Sequence, residues 1–238
     1  NLGSLTTMLA WCKERGISRF VFSSSCSVYG SNSSAEITED TPLGEPGCPY
    51  AATKQIGEKM LYDVTAAEKG FRAISLRYFN PAGGHMSGLL GEESHGTLTN
   101  IVPVIVETAV GLRKGPMKLF GDTYATRDGS CVRDYVHVSD IARAHVLALK
   151  TLEKKKGYDV VNLGTGTGVT VKELIQAFER VVQIPVPVTV APPRAGDIPA
   201  VYASNAKAKK LLGWEAKHSL EDMLSSAYRW HEALGKGL

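Results

Sequence analysis

The chain predicts an α/β fold: a doubly wound parallel sheet accompanied by a smaller α/β domain. Helical and strand-like segments alternate over the first 80 residues, and the strand-like segments are short apolar runs of the kind buried in parallel sheets. After Pro81 the texture changes to glycine-rich loops and shorter elements.

Leu2, Leu5, Met8, Leu9 and Cys12 recur at helical spacing, and Arg15-Gly16 ends that helix. Phe20-Val21-Phe22 follows as a strand, then Ser23-Ser24-Ser25 and a loop rich in Ser, Pro and Gly from Ser31 to Pro49. Loops of that length are usually functional or disordered. Pro49 opens a second helix in which Tyr50, Lys54, Glu58 and Leu61 recur every three or four positions, up to Lys69-Gly70. Phe71 to Arg77 is the next strand, running into the turn signal Asn80-Pro81. Beyond it the pattern predicts helices over 101–112, 140–152, 172–181 and 220–234, and strands over 117–120 and 158–163. The domain boundary falls near residue 80: 1–80 belong to the sheet domain and 81–238 mainly to the second, with segments around 134–165 returning to the sheet. Gly164-Thr165-Gly166-Thr167-Gly168 lies between a strand and a helix, but its spacing is that of a structural turn and not of a dinucleotide fingerprint.

Bulk properties exclude several classes. The 238 residues are 43% hydrophobic and 21% charged, an ordinary globular composition that can supply one large or two small cores. A formal charge of +3 with mixed signs is too mild to argue for nucleic acid, yet it suits a small anionic substrate. Cys12, Cys26, Cys48 and Cys131 are spread along the chain without a Cys-x-x-Cys or His partners at metal-ligand spacing. No metal site is expected, and the cysteines read as reduced thiols of a cytosolic (cytoplasmic) protein. No apolar run approaches the ~20 residues that span a membrane. The chain opens at Asn1 inside a helical pattern and without Met, which reads as a piece of a longer protein.

The chemistry concentrates on Tyr50 and Lys54, which are i and i+4 on one helix face. A phenol, with a reference pKa of ~10, is a poor base at neutral pH unless a nearby cation favours its ionised form. Lys54 is that cation. Ser24 and Ser25 end a strand whose carboxyl edge is where open α/β sheets bind ligands, so their hydroxyls can hold a substrate oxygen beside Tyr50.

These motifs in order carry a resemblance: Phe20 to Ser25 with Ser27-Val28-Tyr29-Gly30, Pro49-Tyr50-Ala51-Ala52-Thr53-Lys54, Leu76-Arg77-Tyr78-Phe79-Asn80-Pro81, and Asp128 to Val138. Asn162-Leu163-Gly164-Thr165-Gly166, Arg194-Ala195-Gly196-Asp197 and Leu212-Gly213-Trp214 extend it over essentially the whole chain. The chain resembles the extended short-chain dehydrogenase/reductase family, and the Asp128 to Val138 block resembles the marker of its UDP-sugar 4-epimerase branch. The resemblance implies a Rossmann-like sheet lacking its N-terminal units, NAD as cofactor, a homodimer, and UDP-glucose and UDP-galactose interconverted through a 4-keto sugar. It makes Ser25, Tyr50 and Lys54 the catalytic set, with Lys54 also on the nicotinamide ribose. Ser23, Ser24, Tyr78 and Phe79 become cofactor-pocket positions. Asn80 and Asn100 become diphosphate or sugar contacts, Lys118 to Phe120 the uracil-facing strand, Arg133 and Arg194 the diphosphate arginines, and Asp197 a uridine-ribose contact.

Two departures stand out. The fingerprint Gly-x-x-Gly-x-x-Gly is not among these residues. The resemblance also implies that Val201 stands at a sugar-wall position often filled by a larger tyrosine in bacterial relatives, a smaller wall that would admit N-acetylated sugars. A 4,6-dehydratase would need an acidic pair that Ser24-Ser25-Cys26-Ser27 lacks. A UDP-glucuronate decarboxylase is disfavoured only by the Asp128 to Val138 block. Intact Ser25, Tyr50 and Lys54 disfavour a silent nucleotide-sugar-binding or RNA-binding module for the longer protein, while these residues alone, without the N-terminal units, leave an inactive nucleotide-sugar-binding fragment as the alternative.

Overall fold

The computed structural model describes residues 1–31, 35–93, 100–194 and 196–235. In chain order these form α1 (Leu2–Glu14), β1 (Arg19–Ser25), a 3₁₀ turn (Cys26–Tyr29), β2 (Glu36–Ile37), α2 (Pro49–Ala67), β3 (Arg72–Tyr78), β4 (Asn80–Ala82) and α3 (Ile101–Ala109). There follow β5 (Met117–Phe120), β6 (Val132–Arg133), β7 (Tyr135–His137), α4 (Val138–Thr151), β8 (Gly157–Leu163), β9 (Val169–Thr170) and α5 (Val171–Val182). The chain closes with β10 (Val188–Ala191), β11 (Tyr202–Ala203), α6 (Ala206–Leu212) and α7 (Leu220–Gly235).

Two compact units emerge, one of residues 1–79, 142–166 and 203–215 and the other of 80–141, 167–202 and 216–238. The first is organised by a parallel sheet in the order β1-β3-β8. Arg19 to Ser25 pair in register with Arg72 to Tyr78, which pair in turn with Gly157 to Leu163. All three strands therefore end on one edge. Ser23, Ser24 and Ser25 lie within β1 and do not follow it, because the ladder with β3 continues through Ser25 and Tyr78. Parallel neighbours need a crossover, and α2 supplies the one between β1 and β3, packing against both strands and β8. Pro49 stands in the first turn of α2, where its missing N–H costs no helical hydrogen bond.

Residues 203–215, which the sequence reading leaves in the second domain, pack in the first unit. The Ser204 N–H donates to Ile37 O at 2.8 Å and Asn205 Nδ2 to Thr165 O at 3.1 Å. The fully buried Trp214 carries the Arg143 guanidinium 6.0 Å from its ring centroid. These are tertiary contacts with no local periodicity to announce them.

The second unit combines short strand pairs with helices. β5 and β10 run parallel, Asn80 of β4 is the partner of Tyr135 on β7, and Val132 and Arg133 face Thr170 and Val169 across an antiparallel pair. Its core gathers Ile105 and Val106 from α3, Leu174 and Phe178 from α5, and Met223 and Leu224 from α7. Burying each such side chain is worth roughly 1.5–3 kcal/mol. A reciprocal capping box starts α5: the Glu173 N–H donates to Thr170 Oγ1 at 3.0 Å, and the Thr170 N–H donates to Glu173 Oε2 at 2.8 Å. Gly164 to Gly168 form the connection between β8 and β9, with Gly166 at φ +79°, a backbone that favours glycine.

Candidate active site

In the first unit the candidate residues collect at the carboxyl ends of β1 and β3. Side chains alternate along a strand, so Ser23 and Ser25 share one face of β1 while Ser24 takes the other. Ser23 and Tyr78 meet on their common face: the Tyr78 hydroxyl donates to Ser23 Oγ at 2.7 Å and lies 2.7 Å from His145 Nε2 on α4. Burial pushes the Tyr78 phenol up to about 12, against the pull of its bond to Ser23 and with a further push from Tyr50. His145 was not among the residues the sequence singled out. It sits on a helix without a flanking motif, and only the packing of α4 brings it to Tyr78.

Ser24 points the other way. It is buried, and its hydroxyl donates to Glu58 Oε1 at 2.6 Å, so its place is in the helix-facing interior and not at the edge with Ser23 and Tyr78. Ser25 Oγ accepts the Ser27 N–H at 3.2 Å, capping the 3₁₀ turn and leaving its own proton to donate. Lys54 reaches from α2 to the Ser23 carbonyl, donating at 2.6 Å, with its Nζ 5.3 Å from the Tyr50 ring centroid and 5.1 Å from that of Phe22. Desolvation among these groups holds the Lys54 ammonium below the ordinary lysine value. Tyr50 itself is 48% exposed, whereas Phe79 is buried and donates its N–H to Leu163 O at 3.1 Å. A desolvated cation, exposed phenol and hydroxyls at one strand edge fit the nicotinamide-ribose end of a dinucleotide.

The second unit contains a cavity of about 680 Å³, within the range of small-molecule sites. Its walls include seven of the eight residues expected to bind substrate, Asn80, Asn100, Lys118, Phe120, Arg133, Arg194 and Asp197; the eighth, Ser25, ends β1 in the first unit, and Val201 is not among the residues that line the cavity. Arg113 and Lys114 also line it. Among the described lining residues, five cations face the single carboxylate of Asp197, so the cavity is built for an anion. Arg133 Nη1 donates to Ile198 O at 2.7 Å and Val132 O at 2.8 Å, and its Nη2 lies 3.7 Å from Asp197 Oδ1. Backbone carbonyls thus fix one side of the fork. The Arg194 guanidinium is 3.9 Å from the centroid of the Phe120 ring, a cation–π stack that orients its plane. Asn100 donates to Glu92 Oε1 at 2.6 Å, and the Asn80 N–H donates to Asp134 O at 2.9 Å. Arg113 and Lys114 were missed; a basic pair between Gly111 and Gly115 was their only local signal.

Among the described residues no group of His, Cys, Asp or Glu could hold a metal ion, and no helix is long and apolar enough to cross a membrane.

A parallel α/β sheet with hydroxyls and a Tyr-x-x-x-Lys helix at its carboxyl edge defines a short-chain-dehydrogenase type of protein. The NAD dependent epimerase/dehydratase family matches residues 1–164, and the chain belongs to that family. It is 45% identical over 221 residues to a UDP-glucose 4-epimerase of Bacillus subtilis (strain 168), covering 93% of this chain and 65% of that protein. A UDP-glucose-4-epimerase from Stenotrophomonas maltophila, solved with bound NAD and formylated UDP-arabinopyranose, is 40% identical with a TM-score of 0.96, covering 100% of this chain and 70% of that one. The Bifidobacterium longum enzyme in complex with NAD+ and UDP is 41% identical with a TM-score of 0.91, covering 99% and 70%. The chain spans 65% and 62% of the length of the first two curated relatives it matches.

Proposed function

We propose that this chain belongs to an NAD-dependent enzyme that interconverts UDP-glucose and UDP-galactose at C4. The cationic cavity carries the reading, because seven of the residues that the family resemblance assigns to the nucleotide and sugar line one space. Relatives solved with NAD, UDP or a UDP-sugar support the ligand class. Arg133 and Arg194 offer planar forks for the diphosphate, Lys118 and Phe120 border the uracil, Asp197 takes the uridine ribose, and Asn80 and Asn100 contact diphosphate or sugar. Lys54 would hold the nicotinamide ribose, with Ser23, Tyr78 and Phe79 shaping the pocket around it. When bound, NAD supplies the acceptor for the C4 hydride and its return.

Tyr50 takes the proton of the sugar 4-hydroxyl as C4 is oxidised, with the charged Lys54 beside its ring. Ser25 holds the 4-oxygen with a hydrogen bond from its hydroxyl and keeps its proton. The keto sugar turns over while the nucleotide stays anchored, so the hydrogen returns to the opposite face. Tight grip on UDP with loose grip on the sugar is what this turnover requires. By the family resemblance Val201 stands at the sugar wall, where its short side chain would leave room for an N-acetyl group. Exposed Met8 and Trp11 on α1 and Tyr62 on α2 are apolar surface suited to a homodimer of paired helices. Calorimetric titration of UDP into the chain, together with conversion of UDP-galactose by the intact protein, tests the reading. Absence of both would sink it.

A further inference from the structure

Ser24, Arg77 and Asn162 form one row across the sheet, since Ser24 pairs in register with Arg77 and Arg77 with Asn162. The row lies under α2 and receives Glu58 from it. Arg77 donates to Glu58 through two parallel bonds, Nε to Oε1 at 2.9 Å and Nη2 to Oε2 at 2.6 Å. Both side chains are only 5% exposed. Ser24 adds its bond to Oε1, Arg77 Nη1 donates to the Tyr29 hydroxyl at 2.8 Å, and Tyr29 donates to Asn162 Oδ1 at 2.7 Å. Burial works against the Arg77 charge, but the bonds to Glu58 and Tyr29 outweigh it and strengthen its hold on the proton.

A buried ion pair is a poor source of stability, because well-packed apolar side chains of similar volume often do as well or better. What the pair adds is direction: a guanidinium fork accepts a carboxylate in one plane and at one spacing, whereas an apolar contact tolerates repacking. Glu58 follows Lys54 by one helical turn and Tyr50 by two, on the same side of α2. Consecutive residues of β1 hold these consecutive turns, the Ser23 carbonyl taking Lys54 and the Ser24 hydroxyl meeting Glu58. Gln55 Nε2 adds bonds to Val28 O at 2.8 Å and Gly44 O at 2.7 Å.

We propose that Glu58 and Arg77 are positioning residues, a buried clamp that sets the rotation of α2 and thereby aims Tyr50 and Lys54 at the carboxyl ends of β1 and β3. The claim for Lys54 stands on geometry alone; its consequence for turnover rests on the functional reading above.

The test replaces Glu58→Met and Arg77→Met together, which keeps volume and net charge. The Lys54 titration is followed by the ¹³C shift of its ε-carbon, and folding by thermal melting. In the wild-type chain Lys54 titrates below the ordinary lysine value. In the folded double variant it is expected to move up toward that value as Nζ swings out of its desolvated place beside Phe22 and Tyr50 into water. In the intact enzyme kcat is expected to fall ~100-fold, with KM for the UDP-sugar within about threefold. A folded double variant with the wild-type Lys54 titration would overturn the proposal, whatever its turnover. Should the double variant not fold, Arg77→Lys keeps the charge without the fork. An upward move of Lys54 there supports the clamp, and no move overturns it. A wild-type enzyme that fails to epimerise, alongside a Lys54 titration that responds, would sink the functional reading and leave the clamp standing.

Discussion

At the carboxyl ends of β1 and β3, Lys54 is desolvated and held on the Ser23 carbonyl among hydroxyls while Arg77 is neutralised by Glu58, whereas five cations and the single carboxylate of Asp197 line the second unit's cavity. The first arrangement gives little charge but fixed geometry, which suits proton transfer. The second gives much charge on long side chains, braced by Ile198 O and the Phe120 ring, which suits the grip on a diphosphate. The proposed function puts chemistry and affinity on different units, and substitutions should separate them.

Tyr50→Phe should give the largest effect. Loss of a positioned general base costs typically 10²–10⁴-fold in kcat, while UDP affinity measured by calorimetry should stay within about twofold. A matching loss of UDP affinity would break the separation. Arg133→Ala with Arg194→Ala should do the reverse: charge-assisted hydrogen bonds are worth ~1.5–3 kcal/mol each, so UDP affinity should drop ~100-fold or more. Saturated turnover should change far less. Val201→Tyr narrows the sugar wall, and turnover of UDP-N-acetylgalactosamine should fall ~10-fold or more against a change of less than about threefold for UDP-galactose. Equal effects on both sugars would remove Val201 from the wall.

The smallest effect concerns stability and belongs to the second unit alone. His137 is buried and stacked on His218 with ring centroids 4.1 Å apart, and its Nδ1 accepts the Ser139 N–H at 3.0 Å. Burial, with His218 and His85 adding to it against Asp140 and Asp222, lowers its pKa from 6.5 to about 4. The unfolded chain therefore takes up this proton first on acidification. Stability from this group is complete above about pH 6.5 and is lost as pH falls toward 4. The melting midpoint should drop by roughly 5–10 °C across that window, and His137→Asn should flatten the slope. An unchanged slope in the variant would locate the acid sensitivity elsewhere.

How much could be read beforehand follows from where the signals are local. β1, β3 and β8 are apolar runs, and α5 repeats its apolar positions at helical spacing, so the sheet and the main helices were legible. The two-residue strands β2, β6, β9 and β11 carry no periodicity, and the return of residues 203–215 to the first unit rests on contacts such as Ser204 with Ile37. Once the strand is carried through Ser25, alternation alone sends Ser24 to the face opposite Ser23 and Ser25. Tyr50, Lys54 and Ser25 were grouped by the parallel-sheet edge. His145 and the Glu58–Arg77 clamp needed packing, since a helical histidine and an i+4 glutamate are common on solvated faces.

The central claim is that the hydrogen at C4 of a UDP-sugar leaves and returns to the same carbon, with Tyr50 handling the hydroxyl proton. The most direct measurement is conversion of UDP-galactose carrying deuterium at C4 by the intact protein with NAD, followed by nuclear magnetic resonance. The account predicts UDP-glucose with the deuterium still on C4 and inverted configuration. Conversion with the label lost to water, or undiminished conversion by Tyr50→Phe, would contradict it.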